Sequence, residues 1–190
     1  MINDDTDEDV PTMESYSDRL RRFQNGPPNE VIQTLLNSIN NFFNPEIAKA
    51  AENDSWSLVL IAIHSVATTV SQGLFGVGRE KGFIRYLQTY MDGDEPGADF
   101  SSIGSELHLW RNVLAHQWLA SSGHTIATDT SISLGWERRE EALVLNPARF
   151  YEAYRHSFST SSLLWRPAKI LTPDELLVVK KRLIRNFKDH

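Results

Sequence analysis

Residues 56–74 constrain the fold more than any other part of the chain. Val59, Leu60, Ile63, Val66 and Val70 spread apolar side chains over much of one helical surface. A helix with so little polar surface needs neighbours on several sides, so this segment predicts a helical bundle with itself near the centre. Its most apolar part, residues 56–67, is interrupted by Ser57, His64 and Ser65. That makes it too short and too polar to be expected to span a bilayer.

Flanking signals supply the partners. The stretch Asn25-Gly26-Pro27-Pro28-Asn29 punctuates the chain before a helix over 30–43, on which Val31, Leu35, Ile39, Phe42 and Phe43 recur at helical spacing. Pro45 opens a short piece, and Asn53-Asp54-Ser55 offers capping side chains to the central helix. Gly73, Gly76 and Gly78 end it. A third helix follows over 79–91 with Phe83, Ile84, Leu87 and Tyr90 inward, and a fourth over 101–120. The pattern then changes. Residues 131–137 and 141–146 read as a small hairpin turning at Arg138-Arg139-Glu140. Pro147 suits the first turn of a fifth helix. Thr172-Pro173-Asp174-Glu175 is a capping box opening a sixth. The expected class is all-α, an up-down helical bundle with one small β-hairpin insertion.

Charge sharpens the domain picture. The 190 residues carry 19 Lys+Arg against 25 Asp+Glu, a formal net charge of −6. Six of the acids (Asp4, Asp5, Asp7, Glu8, Asp9 and Glu14) lie in residues 1–14, which carry no base, and removing them leaves a balanced body. We expect a disordered acidic tail over 1–28, a bundle over 29–165 and a basic C-terminal helix over 166–190 packed on it. A neutral body does not exclude a nucleic-acid partner. The absence of cysteine excludes a disulfide scaffold, a thiolate metal site and a cysteine nucleophile. No basic region followed by an apolar run opens the chain, so a soluble, cytoplasmic protein without a membrane partner is expected.

The fourth helix holds the chemically interesting residues. At 100° per residue, Ser105, His108, Arg111, Asn112, Ala115 and His116 share a stripe about 140° wide. Leu107, Trp110, Leu114 and Trp118 fall opposite, where a core face is expected. The stripe reads equally as an ordinary solvated helix face. His108 and His116 are eight residues apart, a poor spacing for metal ligands, so neither a metal nor another cofactor is expected.

The segment Arg111-Asn112-Val113-Leu114-Ala115-His116 resembles the Arg-x4–6-His motif of the HEPN domain family, which includes prokaryotic ribonucleases and toxins. Asn112 matches the polar residue that follows the arginine in that motif, and the resemblance extends over about residues 29–165. It implies a metal-independent endoribonuclease acting through 2′-OH attack at a composite site between two protomers of a homodimer. Arg111 and His116 would then be catalytic and Asn112 supporting, with RNA as substrate and a toxin–antitoxin or defence setting. A cognate antitoxin or regulatory protein is the implied further partner. Some HEPN toxins carry a tyrosine two residues after the histidine that an antitoxin modifies. Trp118 stands there and has no hydroxyl to accept a nucleotidyl group, so that mode of silencing does not carry over. Other HEPN domains are non-catalytic, and the alternative implied by the same motif is a nucleotide- or protein-binding module.

Four further residues are candidate substrate contacts: His108 and Ser105 on the stripe, and Arg138 and Arg139 at the hairpin tip. The cations of the last helix, Lys180, Lys181, Arg182, Arg185 and Lys188, could follow an RNA backbone or simply complement helix C-termini.

Overall fold

A computed structural model describes residues 16–116, 126–140 and 142–188. The chain is mostly helical and carries a small three-stranded sheet. Its helices are α1 (Tyr16–Asn25), α2 (Pro28–Ser38), α3 (Asn44–Glu52), α4 (Trp56–Phe75), α5 (Arg79–Tyr86), α6 (Gly104–His116), α7 (Pro147–Ser157) and α8 (Pro173–Lys188). The strands are β1 (Ile126–Thr128), β2 (Trp136–Arg139) and β3 (Ala142–Leu145).

Helix α4 is central, as its composition requires. It packs against α3, α5, α6, α7 and α8, and buries Val59, Leu60, Ile63, Val66, Ala67, Val70 and Leu74. Full burial of one such aliphatic side chain contributes about 1.5–3 kcal/mol, so this helix anchors the core. By length and composition it could cross a membrane, which corrects the expectation that the segment is too short, but much of its surface is buried against the other helices. Its start differs in detail from expectation: Ser55 occupies the N-cap position without a side-chain cap, and its hydroxyl donates to the Asn53 carbonyl instead. Its end follows the glycine reading. Gly76 adopts φ 71° and its N–H donates to the Gln72 carbonyl, closing the helix in the left-handed conformation glycine favours.

Two helices run on as π segments, Ile39–Phe43 after α2 and Leu87–Met91 after α5. The first corrects an expectation. Wider π turns shift later residues off the face set by Val31 and Ile39, so Phe42 and Phe43 are 73% and 59% exposed.

The expectation of disorder over 1–28 fails at α1. Phe23 is buried there, and Lys180 of α8 donates to the carbonyls of Gln24 and Gly26 at 2.8 and 2.6 Å. Residues 1–15 lie outside the described residues. On α8 the capping box forms as read. The Thr172 hydroxyl and N–H donate to Glu175, and the Glu175 N–H donates back to Thr172 Oγ1. Arg182 donates to the Gly73 carbonyl at 2.9 Å, beside the C-terminal end of α4. Two cations of this basic helix therefore complement helix C-termini.

The hairpin grows into a sheet of order β1-β3-β2. β2 and β3 are antiparallel, pairing Trp136 with Leu145 and Arg139 with Ala142, while β1 runs parallel to β3. Arg138 and Arg139 lie within β2, which corrects their placement in the turn; Glu140 takes the positive φ instead. Strand β3, between two neighbours, buries Leu143, Val144 and Leu145 in succession, which erases any alternation. Asn146 joins sheet to bundle. Its side-chain oxygen caps α7 by accepting from the N–H groups of Ala148 and Arg149, and its amide donates to the Ile132 carbonyl at 2.7 Å.

Candidate functional site

Helix α6 is set close onto α5 by Gly104. A Cβ there would meet Ile84 Cγ1 at 2.7 Å, so any larger residue would have to push the Ile84 side chain or the helix aside. From that contact α6 runs beside α4 with Leu107 buried and Trp110 packed against the core. Leu109 faces outward at 41% exposure.

The inward face is rotated toward the polar stripe relative to the sequence expectation. His108, expected on a solvated face, is half-buried and meets a residue the sequence reading overlooked. Its Nδ1 lies 2.8 Å from Nε2 of His64 on α4. His64 is itself 4% exposed, and its ring packs on Phe83 with centroids 4.4 Å apart. The only sequence signal was a polar break in an otherwise apolar run.

Arg111, one turn beyond His108, is half-buried. One terminal nitrogen donates to Asn112 Oδ1 at 3.0 Å. Its Nε is buried without a hydrogen-bond partner, as is Nδ1 of His64. No carboxylate among the described residues forms an ion pair with Arg111. The result is a cation and two imidazoles with no counter-charge among the described residues, and its effect is visible on His64. Burial, followed by the Arg111 guanidinium and then His108, pushes His64 down to about 4, so it is neutral at physiological pH. One hydrogen bond joins His64 Nε2 and His108 Nδ1 across the 2.8 Å contact, its direction set by the ring tautomers. If His64 Nε2–H donates, the buried Nδ1 keeps only an unpaired lone pair, whereas the reverse direction would orphan an N–H there. The first arrangement costs less and leaves the second proton on His108 Nε2.

Other expected residues fall apart from this cluster. Ser105 is exposed on α6. Arg138 pairs with Glu106 at 2.6 Å, and Arg139 pairs with Glu137 and Asp129. Both arginines are thus engaged by carboxylates, and Arg138 ties β2 to α6 rather than extending the stripe. His116 ends α6, but its side chain, like those of Ala115 and Leu114, lies outside the described residues, as does Trp118 altogether. Among the described residues no three His, Asp or Glu side chains gather as a metal site. No protein-family model, curated protein or solved structure matches the chain.

Proposed function

We propose that the chain is a metal-independent endoribonuclease of HEPN type, built on an up-down bundle, working as a homodimer in the cytoplasm within a toxin–antitoxin or defence system. The observation that carries the reading is Arg111, a half-buried guanidinium with an unpaired Nε and no carboxylate counter-charge among the described residues. Such a group is suited to a phosphodiester, because an incoming anion supplies the missing hydrogen bonds and charge together. His108 adds a donor on the same helix face, and Asn112 holds Arg111 through its oxygen while its amide N–H groups remain for substrate.

In this reaction His116 takes the proton from a ribose 2′-OH. The 2′-oxygen attacks phosphorus, the bond to the 5′-oxygen breaks, and that oxygen takes up a proton. The products are a 2′,3′-cyclic phosphate and a 5′-hydroxyl. Arg111 neutralises charge on the non-bridging oxygens as the pentacoordinate state forms. The test is incubation of the protein with assorted RNAs in EDTA, beside Arg111→Ala and His116→Ala whose folding is checked by circular dichroism. Cleavage lost in both variants is expected, with DNA inert throughout. Equal cleavage by all three proteins would refute the assignment, and RNA binding without cleavage would favour the non-catalytic module. A protein that stays monomeric at micromolar concentration would remove the composite site.

A further inference from the structure

His64 takes no part in the reaction above, yet its contact with His108 places it where it must feel any anion held by Arg111. Three observations converge. The rings are in direct contact at 2.8 Å. His64 is 4% exposed with its Nδ1 unpartnered. Of the two charges acting on it, that of Arg111 is the larger, and Arg111 lacks a counter-ion among the described residues. We propose that Arg111 and the His64–His108 pair form one oxyanion site for a phosphate group, in which anion binding is accompanied by uptake of a proton on the imidazole pair.

The physical reasoning is electrostatic. In the empty site a proton on His64 adds a second positive charge beside Arg111 in a poorly solvated place, which is unfavourable. An oxyanion on the guanidinium cancels the charge that opposes protonation. A proton entering the pair is then shared between His64 Nε2 and His108 Nδ1, so the new charge spreads over two rings and faces the anion. The groups around the pair leave few other sources for this response. Arg111 and His108 are the charges acting on His64, from α6, and α5 presents the Phe83 ring to it. Within α4, Thr68 Oγ1 donates to the His64 carbonyl and Ser65 Oγ to that of Ile61, so neither hydroxyl meets the ring. The inference rests on the proposed role of Arg111 as a phosphate holder, and goes further in assigning His64 and His108 a shared part.

Linkage makes the idea measurable. An opposite charge at close range raises a histidine midpoint by about one pH unit or more. Anion affinity must then increase up to about tenfold for each unit the pH falls between the empty and occupied midpoints. Sulfate is the probe, because unlike phosphate it does not titrate in this range. Sulfate binding to the full chain is measured by NMR between pH 7.0 and 4.0 at constant ionic strength in chloride, with the histidine ring resonances followed in parallel. We expect affinity to rise as pH falls, with the midpoint of the coupled rings higher in sulfate than in chloride. A folded His64→Asn/His108→Asn double variant should still bind sulfate through Arg111, with that pH dependence lost. Arg111→Gln should titrate alike in both salts. Wild-type affinity independent of pH, or a double variant that keeps the wild-type dependence, would overturn the proposal. RNA cleavage is not the readout. Intact proton coupling with no nuclease activity would refute only the catalytic reading, and cleavage without coupling only this one.

Discussion

Replacing His64 with asparagine should change how the fold responds to acid, by an amount the structure allows to be worked out. In the unfolded chain the imidazole titrates near 6.5, whereas in the fold burial and Arg111 hold it at about 4. Between those values the unfolded state binds the extra proton, so stability is fully present above about pH 6.5 and is lost as pH falls, levelling off below about 4. From pH 7.5 to pH 5.0 the loss attributable to this one group is about 2 kcal/mol, rising to about 3 kcal/mol below its folded midpoint. Asparagine cannot titrate. Urea unfolding followed by tryptophan fluorescence at pH 7.5 and 5.0 therefore gives four free energies, from which the fixed cost of the substitution cancels. Wild type should lose about 2 kcal/mol more than His64→Asn across this interval. If both lose the same amount, His64 is not a buried neutral imidazole in the native state, and the account of its contact with His108 falls with it.

Other substitutions test the scaffold that holds α6 and its neighbours. Asn146→Ala removes the α7 cap and strands the buried Ile132 carbonyl, and should cost about 2–4 kcal/mol by urea unfolding. Gly82→Ala drives a Cβ to 2.3 Å from the Val77 carbonyl oxygen, so a destabilisation of about 1–3 kcal/mol is expected, and a neutral result would contradict the close packing there. Phe42→Ser should shift stability by less than about 0.5 kcal/mol, since the π segment turns that ring into solvent; a core-sized loss would restore the regular-helix reading. Glu106→Gln breaks an exposed ion pair with Arg138 and should cost no more than about 1 kcal/mol in the same assay.

Much of the helical architecture was legible from periodicity and punctuation. The capping box at Thr172 and Glu175, the glycine closing α4 and the proline opening α7 are local devices whose chemistry lies within a few residues, so sequence suffices to read them. The π segment at Ile39–Phe43 was not legible, because the face it presents depends on hydrogen-bond register rather than residue type. Strand β1 was missed for a related reason: a three-residue strand pairing in parallel with β3 leaves no period in its own sequence. At the candidate site, Arg111 and Asn112 could be proposed from spacing and resemblance, but the sequence reading placed their stripe on a solvated face.

By itself, then, the sequence determined that one apolar helix must be surrounded by others, and that α6 carries an Arg–Asn–His stripe along one side. Tertiary structure decided which way that stripe faces. The close approach at Gly104 fixes how α6 lies against α5, and α6 in turn sets His108 against His64, 44 residues earlier in the chain. A contact of that kind has no local signature. It depends on two helices meeting at one rotation, and that rotation is set by packing volume at positions remote from either histidine.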